Sequence, residues 1–144
     1  MEVVSFSKGD FFITTDPQKL DRDAVCRFLA DTYWARRRPP GVITRSLENS
    51  LCFSLFHREE QIGFGRVVTD YATFAYLCDV YLLEEYRGRG FGKWLLECIV
   101  THPDLARVNW CLLTGDAHSF YEQFGFRRLR KPQHFMEKRS KWPY

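Results

Sequence analysis

The sequence predicts a mixed α/β domain whose sheet is antiparallel in its first half and has one parallel crossover. Three observations carry this. Two short apolar runs are joined by a polar turn, a long and nearly uncharged run follows, and a glycine-rich turn then leads into an amphipathic helical stretch. Taken in order, residues 10–15 read as a first strand, with Asp16-Pro17 as turn or N-cap. Val25, Phe28, Leu29 and Thr32 recur at helical spacing, and this helix should fade near Arg36, before the breakers Arg38-Pro39-Pro40-Gly41. A short helix is expected over 43–48. Strands over 51–56 and 62–69 form a hairpin, and residues 73–83 make a central strand whose one charge is Asp79. A helix carrying Phe91, Leu95, Cys98 and Ile99 ends at His102-Pro103. A buried strand over 108–113, a helix over 117–124 capped by Gly125, and a last strand over 133–137 complete the chain.

The 144 residues, 45% hydrophobic and 17% aromatic, fit one domain over 1–144 with its core at about 10–138. No run approaches the roughly 20 apolar residues that span a bilayer. The start of the chain, with Glu2, Lys8 and Asp10, lacks a cationic segment followed by an apolar one, so a cytoplasmic protein without a membrane partner is expected. Cys26, Cys52, Cys78, Cys98 and Cys111 are odd in number and widely spaced, which suggests reduced core thiols. The net charge of +3 is concentrated at Arg36 to Arg38, at Arg127, Arg128, Arg130 and Lys131, and at Lys138, Arg139 and Lys141. Solvated surface is the default reading of such runs, and nucleic-acid contact is the sharper alternative.

Arg87-Gly88-Arg89-Gly90-Phe91-Gly92 is the most informative stretch. Glycine lets backbone approach a ligand closely, and amides at a helix start point at any anion there. A Walker A loop fails at Arg87 and Trp94, and a dinucleotide fingerprint fails at Lys93. Arg-x-x-Gly-x-Gly, at Arg87, Gly90 and Gly92, does fit. With the long strand before it and Ala117-His118-Ser119-Phe120-Tyr121-Glu122-Gln123-Phe124-Gly125-Phe126 about 30 residues later, the chain resembles the GNAT superfamily of N-acetyltransferases.

The resemblance implies a mostly antiparallel central sheet of six to seven strands flanked by about four helices, with acetyl-CoA as co-substrate and no metal. In such a protein the turn Arg87, Gly88, Arg89, Gly90, Phe91, Gly92 and Lys93 would hold the pyrophosphate. The backbone of Val80, Tyr81 and Leu82 would hold the pantetheine arm, and Thr114 and His118 would lie beside the coenzyme. Thr114 departs from the family's frequent asparagine. Tyr33, Trp34 and Arg36, with Arg37 and Arg38, would border the acceptor amine.

Acetyl transfer to an amine needs a neutral nucleophile, a stabilised oxyanion and a proton for the departing thiolate. A phenol of pKa about 10 suits the last task, and the resemblance implies Tyr121; a plain aromatic core residue is the other reading. Asp79 is equally a general base or a structural carboxylate, because a charge in an apolar strand is costly unless partnered or used. Asp70, Glu84 and Glu85 are alternative bases. Cys98 with His102 is a weak metal pair, and Cys111 with Asp116 and His118 a weak hydrolase. The expected partners are acetyl-CoA and an amine, a small molecule in preference, rather than nucleic acid, and a homodimer is left open. A noncatalytic acyl-CoA-binding regulatory module is the alternative function.

Overall fold

A computed structural model of the protein describes residues 2–141. The chain opens with a hairpin, β1 (Ser5–Lys8) and β2 (Phe11–Thr14), in which Lys8 lies opposite Phe11 across Gly9-Asp10. Gly9 has φ +57°, the left-handed conformation that a two-residue hairpin turn demands. The Gly-Asp pair carried the signal for β1, a strand absent from the sequence-based expectation.

Helix α1 (Arg22–Ala30) is N-capped by Asp21, whose carboxylate accepts from the Ala24 amide, and it stops earlier than its apolar spacing suggests. Thr32 explains the stop. Its hydroxyl donates to the Leu29 carbonyl and accepts from the Ala35 amide, replacing helical bonds with a local turn. Helix α2 (Pro40–Glu48) starts on proline, which suits a first helical turn.

Strands β3 (Leu51–His57), β4 (Glu60–Thr69) and β5 (Phe74–Leu82) form an antiparallel meander continuing from β2. Helix α3 (Phe91–Val100) then crosses over to β6 (Asn109–Leu112), which pairs parallel to β5. The spatial order is therefore the sequence order, β1 to β6, with the antiparallel first half and the single parallel crossover that the sequence pattern predicts. Helix α4 (His118–Glu122) follows, and Gly125 after it adopts φ +91°.

The sheet is covered on both faces. One face packs Phe53, Leu55, Ile62, Leu95, Leu96 and Ile99 beneath α3, with Phe120 and Phe124 of the α4 region at its margin. The other packs Val25, Leu29, Ile43, Leu47, Phe64 and Tyr81 beneath α1 and α2. A Cβ at Gly65 would lie 2.8 Å from Ile99 Cδ1, so the missing side chain is what lets α3 sit this close to β4.

Two expectations are corrected. Residues 133–137 do not form a strand. Pro132 opens a single 3-10 turn, Pro132–His134, and the His134 and Phe135 amides are spent on the carbonyls of Lys131 and Pro132. β6 is not deeply buried either; it is half-exposed at the sheet's edge, and Leu113 just beyond it is 83% exposed.

Candidate active site

The site grows from a divergence between two strands. β5 and β6 pair only from Phe74↔Asn109 to Leu77↔Leu112, yet β5 runs on to Leu82, so Val80, Tyr81 and Leu82 keep an edge with no strand beside it. In open α/β sheets ligands enter where neighbouring strands part at their carboxyl ends. The glycine turn connects this end of β5 to α3. Gly88 and Gly90 have φ +75° and +85°, conformations costly for other residues, and Gly90 caps the helix without a side chain. The helix's first bond runs from the Trp94 amide to the Gly90 carbonyl, 3.1 Å, leaving the amides of Phe91, Gly92 and Lys93 without intrahelical acceptors. Together they make a cradle for an anion.

The two arginines of the turn differ. Arg87 Nε donates to the Leu82 carbonyl at 3.1 Å, tying the turn to the end of β5. Arg89 lies over the rings of Phe91, Tyr86 and Phe11, with its guanidinium carbon 5.1, 5.7 and 6.0 Å from their centroids. Its charge is held on aromatic faces. Beneath it, Phe11 stacks on His57 at 4.3 Å, and His57 Nδ1 is 2.8 Å from the Tyr86 hydroxyl.

Asp79 sits in a β-bulge. Pairing passes from Arg66↔Cys78 to Phe64↔Tyr81, so Asp79 and Val80 face one residue, Gly65, and Asp79 takes φ +54°. Its carboxylate is buried and saturated. Arg38 Nη1 lies 2.8 Å from both oxygens, Arg66 Nε donates to Oδ2 at 2.9 Å, and Trp34 Nε1 to Oδ1 at 3.1 Å. Each oxygen thus accepts twice, filling the roughly four lone-pair positions of a carboxylate. A base needs a vacant lone pair aimed at its substrate, and this geometry instead makes Asp79 the anchor that fastens the segment after α1 to the sheet. Arg66 was not singled out in the sequence; it stands only 13 positions from Asp79, but a bulge that turns both inward has no short-range signature.

That anchored segment brings Tyr33 across the site. Trp34 meets Tyr33 edge-on, with centroids 5.2 Å apart, and the Tyr33 hydroxyl lies 3.6 Å from where a Cβ of Gly115 would stand. Tyr33 is 70% exposed. Tyr121 is half-buried, edge-on to Phe120 and Phe126 with centroids 5.2 and 6.0 Å away. Burial pushes its phenol up to about 12, with Asp116 and then Tyr33 adding to the effect, so these three lie within electrostatic reach. Arg36 is exposed and is not drawn into this group. Thr114 accepts from the Ala117 amide at 3.0 Å, which commits its hydroxyl to starting α4.

A cleft of about 810 Å³ adjoins Tyr121, Thr114 and His118 but contains no residue of β5 or the glycine turn. Every residue from 108 to 114 lines it, as along a strand edge; a sheet face presents alternate residues. Of the other constellations, Asp70 is spent on Thr73, Ala72 and Phe74, whose hydrogen bonds hold its carboxyl far below the ordinary range. All five cysteines are free, and burial pushes the thiols of Cys52, Cys78 and Cys98 up to about 12, 11 and 11, keeping them protonated near neutrality. Among the described residues no group of three or more His, Cys, Asp or Glu could hold a metal ion, and no helix is long and apolar enough to cross a membrane.

The sequence model of the Acetyltransferase (GNAT) domain matches residues 48–128. The chain belongs to the GNAT acetyltransferase family. A GNAT protein of Xanthomonas campestris pv. campestris is 42% identical, with a TM-score of 0.88 over 90% of this chain and 93% of that one. The acetyltransferase-family protein FG08082 of Gibberella zeae is 32% identical, the alignment covering 88% of this chain and 85% of the relative. Rv2747 of Mycobacterium tuberculosis, solved in complex with CoA and NLQ, shares the fold at 17% identity and a TM-score of 0.62 over 78% of this chain and 69% of that one. The match to the GNAT domain takes in the bulge at Asp79, the turn before α3 and Tyr121, while the hairpin β1–β2 and everything after residue 128 lie outside it. Within this GNAT protein the strand divergence, the open amides that start α3, and Tyr33 and Trp34 thus come from different elements.

Proposed function

We propose that this GNAT protein moves an acetyl group from acetyl-CoA to a primary amine by direct attack within a ternary complex. The observation that carries the reading is the parting of β5 from β6 next to the open amides of Phe91, Gly92 and Lys93. The pyrophosphate sits on those amides, assisted by Lys93 and by Arg87, which is already fixed to the end of β5. The pantetheine arm runs along the free edge of Val80, Tyr81 and Leu82, and an amide on that edge polarises the thioester carbonyl. The CoA bound to Rv2747, a protein of the same fold, supports a donor of this kind.

The amine attacks the thioester carbon, the carbonyl oxygen takes the negative charge, and the carbon–sulfur bond breaks as Tyr121 gives its proton to the leaving thiolate. The acetylated nitrogen sheds its extra proton to solvent, and solvent returns a proton to the Tyr121 phenolate. Burial pushes the Tyr121 phenol up to about 12, so it enters the cycle protonated at neutral pH. Asp79 orients rather than abstracts. Its bonds to Arg38 and Trp34 hold Tyr33 at the acceptor side, and proton removal from the ammonium falls to Glu84 and Glu85 at the end of β5, directly or through water. Tyr33 and Asp116 near Tyr121 favour a small cationic amine. A panel of small amines and peptides, assayed for free CoA thiol with acetyl-CoA present, tests the reading. Amine-dependent thiol release is expected; coenzyme binding with no turnover across the panel would instead favour a noncatalytic regulatory module.

A further inference from the structure

The ion cluster at the bulge does not balance. Asp79 carries one negative charge, and two guanidinium groups, of Arg38 and Arg66, lie 2.8 and 2.9 Å from its carboxylate. The two arginines are not alike. Arg66 is the deeper, its side chain 11% exposed, with Nε on Asp79 and Nη1 on the Ser50 hydroxyl. Arg38 is 21% exposed and joins the cluster through Nη1 alone. Among the described residues its Nε and Nη2 have no acceptor. That edge of a guanidinium is a fork that takes a carboxylate through two parallel hydrogen bonds. A partly buried cation without its own counter-ion is costly, so the surplus positive charge marks a place for an anion.

The place lies beside the proposed thioester. Val80 and Leu82 pack beneath α3, which closes that face of the sheet, so an acceptor reaches the thioester over the other face. There α1 and α2 cover Phe64 and Tyr81, but Tyr76 and Cys78 of β5, and Cys111 opposite Tyr76 on β6, belong to neither packed core and are partly exposed. The charges acting on Cys78 are Arg66, Asp79 and Arg38, which sum to one positive charge over this open strip. The ends of the strip differ in sign. Asp79 has no lone pair left for an ammonium, whereas Asp116, which acts on Tyr121 together with Tyr33, supplies a negative charge beside the proposed acid.

We propose that Arg38 receives the carboxylate of the acceptor, so that the acetylated amine belongs to a small amino acid. This deepens the acetyl-transfer reading and rests on it. The carboxylate meets the open fork of Arg38, and the ammonium of the same molecule lies toward Asp116 and Tyr33. Asp79 then has a second task, because its bonds to Arg38 hold the fork in place. Exposed Arg36 and Arg37 add positive potential on this side.

The test compares matched acceptors. Release of free CoA thiol from acetyl-CoA is measured for alanine, β-alanine and 4-aminobutyrate, each beside its own neutral amide. For at least one pair the acid should exceed the amide in kcat/KM by about 10- to 100-fold, the range of one charge-assisted hydrogen bond. A carboxylate raises the pKa of a nearby ammonium and leaves less neutral amine, so reactivity alone runs the other way. Arg38→Lys keeps the charge and removes the fork. It should raise the KM for the acid and bring the acid-to-amide ratio down to near one, with the KM for acetyl-CoA nearly unchanged. A purely structural Arg38 would lower both members of a pair in parallel and preserve the ratio, which would overturn the proposal. Should that variant fail to fold, the wild-type pairs decide, and calorimetry of each acid and amide in the presence of CoA repeats the comparison without turnover. Equal kcat/KM within all three pairs would overturn the carboxylate site and leave acetyl transfer standing. No thiol release with any acceptor would overturn both.

Discussion

Tyr121 and Asp79 are both polar groups set into apolar surroundings, and the difference in their partners separates their roles. Tyr121 has rings around it, so burial dominates its titration, with Asp116 and Tyr33 adding to it, and the proton stays on the phenol. Tyr121→Phe removes the proton while keeping the ring. Turnover should fall about 10²-fold or more, with the KM for acetyl-CoA nearly unchanged, as steady-state kinetics would show. Asp79 by contrast is defined by Arg38, Arg66 and Trp34. Asp79→Asn tolerates the left-handed backbone at φ +54° and isolates the charge. Two guanidinium groups would be left without their counter-ion, at a cost of about 3–5 kcal/mol visible in denaturant unfolding. An activity loss without a stability loss would return Asp79 to the role of base. The sequence marked this aspartate as unusual but left its role open, because its partners are brought to it from 13, 41 and 45 positions away.

The turn before α3 shows why three neighbouring glycines are not equivalent. Gly88 and Gly90 are demanded by backbone conformation, whereas Gly92 lies inside the helix, without positive φ, and a Cβ there would meet only Phe120 Cζ at an ordinary 3.8 Å. Neither strain nor packing accounts for it. In the proposed site the bare α-carbon leaves room for the pyrophosphate, so Gly92→Ala should preserve or slightly raise helix stability while weakening acetyl-CoA binding about tenfold or more by calorimetry. Alanine at Gly90 would mix binding with backbone strain of about 1–2 kcal/mol, which makes Gly92 the cleaner probe. The turn was readable because its grammar is local. The end of α1 was not, since Thr32 competes with the helix through a side-chain bond that apolar spacing does not register.

From β2 to α4, the order of strands and helices was legible because each element is short, periodic and, for the strands, paired with its sequence neighbour. What escaped was anything set by a distant partner: the β6 edge, the tail that does not pair, and the ion cluster at the bulge. Acid stability belongs to this scale too. His102 is buried against Phe53, and its Nδ1 accepts from the Asp104 amide at 3.1 Å, which fixes a neutral ring with the proton on Nε2. Burial lowers its pKa below the ordinary 6.5, with Asp104 opposing only in part. A depressed folded-state value means the contribution is whole above 6.5 and is lost as the pH falls through the lower, native value. The melting temperature should therefore decline below about pH 6.5, and His102→Asn, whose side chain can still accept from Asp104, should flatten that decline in a pH series.

The bulge at Asp79 also shifts the phase of β5. Ahead of it, the odd-numbered Ala75 and Leu77 pack beneath α3; beyond it the even-numbered Val80 and Leu82 do so, and odd-numbered Tyr81 crosses to the face beneath α1, where it stacks on Phe28 at 3.8 Å. One inserted residue thus lets a single strand serve the two cores with opposite parity. Removing it would straighten the ladder at the expense of exchanging every side chain between Val80 and Leu82 with its counterpart on the wrong side of the sheet.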